Sequence, residues 1–375
     1  MSDAARPVPR PLPTAARGGV IAAATALLVL WGLGLSGALG RDATQLFGDA
    51  APGLLALAAV GWLPAPAPAA RAIAVVMLYV IGLGLAALTL GLAAMALGGD
   101  RGVAAAGGAL APLALGLIAL LLAPALLLSG AVRRALARWL PLRPDVFRHW
   151  VGLVVLVWFT LMPLALLPLL GGQPPLSAVV ERLSEEDLAY SPWTEVASLL
   201  WTVLLCLVGA GFPLARDGAA ALDRLGWRWP GWRRVGIGVG LSLALVVLIV
   251  GVVAPLTDAA LTALGVPDTS SSYFEKLIGP VDVGGAVLRA VKAGITEELV
   301  WRGLVQPRYG LPLAALGFAA MHGFQYGPGS LVVVLVVGIC LGLVRRWSNT
   351  TVAAVVHGGY DLWLFLTVAL GWFNS

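Results

Sequence analysis

The stretch VGIGVGLSLALVVLIVGVVAPL, residues 235–256, carries no charged side chain from end to end. A helix rises about 1.5 Å per residue, so about 20 such residues cross the roughly 30 Å of hydrocarbon in a bilayer. Working outward, comparable apolar runs recur at residues 20–40, 47–63, 72–98, 109–130, 150–171, 197–215, 283–304, 311–325, 331–344 and 350–372. The 47–63 run is the weakest, trimmed by Asp49, Pro52 and Pro64. Only 11% of the chain is charged and its mean hydropathy is +0.92, too apolar to cover a soluble surface. In lipid every backbone group must be satisfied internally, which favours helices here. The expectation is an all-α, polytopic transmembrane helical bundle of about 10–11 spans.

The net charge of +5 is not a nucleic-acid signal. Lys276 and Lys292 are the lysines; the other basic residues are arginines, and most lie between apolar segments. Cytoplasmic loops are enriched in such residues. If 47–63 crosses the membrane and the N-terminus is cytoplasmic, the cluster Arg133–Arg148, the stretch 216–234 and Arg345–Arg346 all fall inside. Arg41, Arg101, Arg182 and Lys276 then fall outside. Residues 1–19 read as a cytoplasmic tail and 20–40 as a retained first span. Residues 20–215 read as an accessory bundle, 216–234 as a basic cytoplasmic loop with Trp227, Trp229 and Trp232, and 235–375 as the catalytic region. The acidic loop 173–196 reads as solvated and external. Cys206 and Cys340 lie in apolar runs without metal spacing and read as packing residues. The Arg, Ala, Gly and Leu bias fits a GC-rich bacterial genome, hence a multi-pass protein of the bacterial inner membrane.

Ionisable residues inside spans are expensive and therefore mark function. They gather late in the chain. In Ile295–Gly303, Glu298 and Arg302 stand at i, i+4 in the favourable order for an ion pair. Glu297 sits about 100° round the helix, with Ala290, Ala293 and Gly294 on its own face, small residues that would leave room for water or a substrate backbone. Phe318 and His322 form a second i, i+4 pair, and His357 and Asp361 a third. Two of the three histidines of the chain thus lie in these helices; His149 follows Arg148 at a membrane edge. A glutamate, two histidines and an aspartate can run general acid–base hydrolysis, with Glu297 or His322 activating water and His357 with Asp361 stabilising an oxyanion. No serine lies in a nucleophile-elbow context. Zinc is a minority alternative, since these ligand types could bind it but HExxH is absent.

Glu297-Glu298-x-x-x-Arg302, Phe318-x-x-x-His322 and His357-x-x-x-Asp361, in this order, resemble the three motifs of the CAAX-protease and bacteriocin-processing (CPBP) family. These are the Rce1-like, Abi-type glutamic intramembrane endopeptidases. The resemblance covers about residues 283–372. It implies a site below the cytoplasmic face, with Glu297 activating water, His322 assisting, Glu298 and Arg302 ordering the site, and His357 and Asp361 forming the oxyanion site. It implies no cofactor and no metal. The last motif position is often Asn; an ionised Asp361 cannot donate a hydrogen bond, so it is either protonated or orients His357. The Arg302-to-Phe318 connection is also shorter than the family's. On the topology above, Glu297 and His357 would lie about 10 Å below the cytoplasmic face.

The expected function is cleavage of a membrane-associated protein or peptide near its C-terminus or at a membrane boundary. The partners are then that substrate and the bilayer, and no nucleic acid. Two other readings use the same residues: a catalytically inactive CPBP-like scaffold, and a proton- or ion-coupled transporter with Glu297 and the histidines as a relay.

Overall fold

A computed structural model describes residues 14–39, 46–47, 50–62, 68–97, 110–140, 142–166, 191–266 and 282–370. The acidic stretch 173–190 and the tail 1–13 lie outside the described residues. All regular structure described is helical: α1 Thr14–Leu35, α2 Ala51–Gly61, α3 Pro68–Leu97, α4 Leu110–Leu128, α5 Gly130–Leu136, α6 Phe147–Leu166, α7 Pro192–Ala210 and α8 Gly218–Leu225. Then come α9 Trp232–Ala263, α10 Val283–Glu298, α11 Gln306–Met321, α12 Pro328–Trp347 and α13 Thr350–Ala369.

Seven of these helices are long and apolar enough to cross a membrane, or up to eight if the bent pair α4 and α5 counts as one span. The sequence suggested more. The difference has physical causes. Helix α2 has only 11 residues. Helix α10 and its continuation hold Arg289, Lys292, Glu297, Glu298 and Arg302, which spoil its hydropathy. Helix α11 is interrupted at Gly310, whose φ of 86° suits glycine, with Pro312 just beyond.

The bundle alternates in direction, as the contacts between helices show. On α10, Ala286, Ala290 and Gly294 meet Phe365, Gly358 and Ala354 of α13 in turn, so the two are antiparallel. Gly238 and Ser242 of α9 meet Val355 and Gly359 of the same helix in parallel. Gly317 and Gly323 of the α11 hairpin approach Leu156 and Pro163 of α6. Between membrane helices little hydrophobic force operates, and close packing over small residues replaces it. A Cβ on Gly294 would stand 2.7 Å from the carbonyl oxygen of Ala354, so glycine is what lets these backbones touch.

Helix α6 joins two cores. On one side Val151, Val154 and Trp158 pack with Leu57, Leu78 and Leu120, and the indole N–H of Trp158 donates to the Leu120 carbonyl at 2.8 Å. On the other, Trp150, Leu153 and Leu156 pack with Trp301, Tyr309, Phe318 and Leu341. The Tyr309 hydroxyl donates to the His149 carbonyl at 2.8 Å. The first half of the chain therefore braces the motif-bearing helices directly. His149 belongs to this junction and is buried.

Side chains cap the helix starts nearest the site. Asp282 accepts from the Gly285 N–H at 2.7 Å to start α10, and Asn349 accepts from the Val352 N–H at 3.0 Å to start α13. The Thr350 hydroxyl donates to the Leu225 carbonyl at 2.7 Å, which docks α8 onto the start of α13. Exposed Trp139, Trp229, Trp232 and Trp347 ring this arginine-bearing end of the bundle, and exposed Trp193 and Trp363 lie towards the other. That is the distribution of aromatic residues at the two membrane–water interfaces. Cys206 is buried and Cys340 half-buried, both free thiols.

Candidate active site

Helix α10 does not end at Glu298. It continues through a π-helical segment, Leu299–Val305, into α11. Such a wide turn holds an extra residue, and π-turns recur at functional sites. Here it begins directly after the glutamate doublet.

The two glutamates have opposite environments. Glu298 is 0% exposed. One of its oxygens, Oε1, accepts from Arg302 Nη1 at 2.7 Å and lies 2.9 Å from Nδ1 of His357. Arg302, also buried, gives its Nη2 to the Gly338 carbonyl of α12 at 3.0 Å. One turn on, Gln306 Nε2 donates to Gly342 at 2.9 Å. Arg345 Nε returns a hydrogen bond to the Arg302 carbonyl at 2.6 Å. Glu298 and Arg302 thus tie α10, α12 and α13 together.

Glu297 faces a cavity of about 390 Å³. Its side chain keeps 25% of its surface exposed, and Oε2 has no hydrogen-bond partner among the described residues. His322 Nε2 lies 3.7 Å from that oxygen. That is too long for a direct hydrogen bond, and both groups can reach one water lying beside them in the cavity. His322 Nδ1 lies 2.8 Å from the Phe318 carbonyl oxygen, which can only accept, so Nδ1 carries a proton. In the neutral ring, Nε2 therefore presents its lone pair towards Glu297.

The Phe318 ring separates and orders the imidazoles. Its centroid is 4.7 Å from that of His322 and 5.9 Å from that of His357, and Arg302 lies over its face at 4.6 Å. Trp301 packs edge-on against it. His357 Nε2 points to Asp361 Oδ2 at 3.4 Å. So Glu297, His322, His357, Asp361 and Phe318 line one cavity, with Glu298 and Arg302 buried behind it. Among the described residues no three His, Cys, Asp or Glu side chains converge to hold a metal ion.

One sequence expectation needs correction. Ala290 and Gly294 do not leave space beside Glu297; they are consumed by the close approach to α13, and of the three small residues Ala293 is the one lining the cavity. The helix beyond Glu297 runs on through the π-helical segment to Tyr309 before Gly310 breaks it.

Several site neighbours were missed. Tyr326 stacks on His322 with the rings 2° from parallel and 5.8 Å apart. Its position at i+4 from His322 was a usable signal. Tyr360, Gln325 and Ser330 also line the cavity. Glu195 of α7 closes its rim, with Oε1 3.0 Å from Arg289 Nε and Oε2 3.0 Å from Lys292 Nζ. That contact spans nearly a hundred residues and no local spacing encodes it.

Fold and site together define a multi-pass integral membrane protein with paired glutamates and histidines sunk in a helical cavity. The pairing of Glu297 with His322 and of Glu298 with His357 is consistent with a glutamic-protease active site. Residues 280–363 match the family model described as Rce1-like, Type II CAAX prenyl endopeptidase Rce1-like. The C-terminal region thus carries a CPBP, Rce1-like CAAX-protease domain. No curated protein and no solved structure matches the chain.

Proposed function

We propose that this protein is an intramembrane endopeptidase of the glutamic type, hydrolysing a peptide bond in a membrane-associated protein. The observation that carries the reading is the 3.7 Å gap between Glu297 Oε2 and His322 Nε2, facing one cavity. A water held there has a carboxylate to take one proton and an imidazole lone pair to receive the other hydrogen. The water oxygen attacks the scissile carbonyl carbon. The proton taken by Glu297 passes to the leaving nitrogen as the carbon–nitrogen bond breaks. A proton held between His357 Nε2 and Asp361 Oδ2 is the donor available to the developing oxyanion. Glu298 and Arg302 are positioning residues: they fix His357 without touching the substrate. Phe318 sets the separation of the two rings.

The test compares membrane-protein termini in cells carrying the wild-type chain or Glu297→Gln at equal abundance. New C-termini near membrane boundaries, present with wild type and absent with the variant, are expected. Identical termini, with both proteins stably inserted, would overturn the reading and favour a scaffold.

A further inference from the structure

A second cavity, of about 240 Å³, lies between α2, α6, α7, α8 and the π-helical segment. It shares no lining residue with the cavity that holds Glu297. Four arginines line it: Arg148 at the start of α6, Arg216 just after α7, Arg224 in the last turn of α8 and Arg308 ahead of the Gly310 break. No carboxylate stands among its described lining residues. The carboxylates nearest in sequence are engaged elsewhere. Asp145 pairs with Arg143 at 2.8 Å, Asp223 pairs with Arg228, and Asp217 accepts from the Ala220 N–H at 2.8 Å.

The cationic end is held in place. The Trp62 indole N–H donates to the Val208 carbonyl at 2.7 Å, and Arg148 and Arg216 lie 4.1 Å and 5.6 Å from the centre of its ring. Arg216 also donates to the Ala210 carbonyl. Like charges gathered in half-buried positions repel, and an anion between them offsets that cost. Away from the arginines the lining turns apolar. From Arg148 it follows α6 through Val151 and Gly152 to Val155, about 10 Å at 1.5 Å per residue. On α2 it follows Trp62 back through Ala58 to Leu54, with Leu205 and Leu304 completing it. A cationic head joined to an apolar extension along the helix axes has the outline of a phospholipid rather than of a free anion. Guanidinium forks match phosphate oxygens, and basic pockets between membrane helices bind phospholipid headgroups.

We propose that this cavity binds the headgroup phosphate of an anionic phospholipid. Arg148, Arg216, Arg224 and Arg308 surround the phosphate, and the first carbons of the acyl chains lie along Leu54, Val155 and Leu205. The occupant rests against Val300, Leu304 and Val305, on the segment whose Arg302 holds Glu298. The site does not depend on the endopeptidase reading, and its test needs no activity.

Thermal unfolding of the full-length protein, stripped of lipid in a neutral detergent, is followed as phosphatidylglycerol, phosphatidylcholine or inorganic phosphate is added. A ligand that binds the folded state raises the midpoint in a saturable way. Phosphatidylglycerol is expected to do so, while the other two at equal concentration leave the midpoint unchanged. Arg224→Gln with Arg308→Gln should raise the half-saturating phosphatidylglycerol concentration about tenfold or more. Arg134→Gln with Arg138→Gln, which removes two exposed arginines outside the cavity, should leave it unchanged. No rise with phosphatidylglycerol, or an equal shift in both double variants, overturns the site. An equal rise with phosphatidylcholine would mean apolar filling alone, and an equal rise with inorganic phosphate would mean a free-anion site; either overturns the lipid assignment. If the cavity double variant is not recovered folded, Arg308→Gln alone decides: weakening of about fivefold supports the proposal, and unchanged saturation overturns it.

Discussion

His357 is bound to Glu298 across two helices, Nδ1 to Oε1 at 2.9 Å, through the same oxygen that receives Arg302 at 2.7 Å. A carboxylate that reads as one half of an i, i+4 clamp is therefore also the anchor of an imidazole 59 residues away. The buried ion pair therefore also positions His357, and its removal has two separable effects.

Glu298→Gln leaves Arg302 buried and uncompensated, and breaking such a pair costs about 3–5 kcal/mol. Thermal unfolding in detergent should show that loss. The double variant Glu298→Leu with Arg302→Leu removes both charges, and apolar replacement of a whole buried pair is often close to neutral. It should recover most of the lost stability. It should not recover activity, because His357 still lacks its acceptor. A double variant as unstable as the single one would show that the hydrogen bonds to α12, rather than the charges, hold the site.

Glu297→Gln should behave in the opposite way. Glu297 Oε2 has no hydrogen-bond partner among the described residues, so the isosteric amide leaves packing intact. Unfolding temperature and membrane abundance should match wild type. Turnover of a substrate identified by its new terminus should fall about 10²–10⁴-fold, the range for loss of a positioned general base. Retention of turnover would move the base to another residue.

How much of this was legible before the structure depends on the range of each contact. The i, i+4 spacings brought Glu298 to Arg302, Phe318 to His322 and His357 to Asp361, because those neighbours follow from helix geometry alone. The apolar runs marked the helices because hydrocarbon leaves few alternatives. What stayed hidden was non-local. Glu298 reaches His357, and Glu195 reaches Arg289 and Lys292, only once the helices are packed. Gly294 was misread because a small residue on a helix face suits open space or close contact equally well, and the partner helix decides.

Phe318→Leu tests whether ring spacing matters beyond burial. Leucine keeps an apolar side chain but loses the faces that meet His322, His357 and Arg302. Removing part of a buried ring leaves a cavity, at a cost below the roughly 3–5 kcal/mol of a full truncation to alanine. Activity should fall further than that loss explains when measured well below the unfolding temperature, with kcat rather than KM carrying the change. An unchanged kcat in a folded variant would reduce Phe318 to core packing.

Gly294→Ala should couple stability to chemistry through the α10–α13 contact. The new Cβ would meet the Ala354 carbonyl oxygen at 2.7 Å and the Gly358 nitrogen at 2.9 Å. Both are backbone atoms, so neither can swing aside and the helices themselves must part. Overpacking of this kind costs about 1–3 kcal/mol. The same displacement stretches the 2.9 Å contact between Glu298 and His357, which has little slack before it ceases to be a hydrogen bond. Gly284→Ala, on the same helix, is the control: its Cβ would meet Asp282 Oδ1 at an ordinary 3.5 Å. Gly294→Ala should lower both unfolding temperature and kcat, while Gly284→Ala should lower neither. Equal behaviour of the two variants would mean that α10 and α13 can separate without disturbing His357, and that Glu298 does not act through the helix contact.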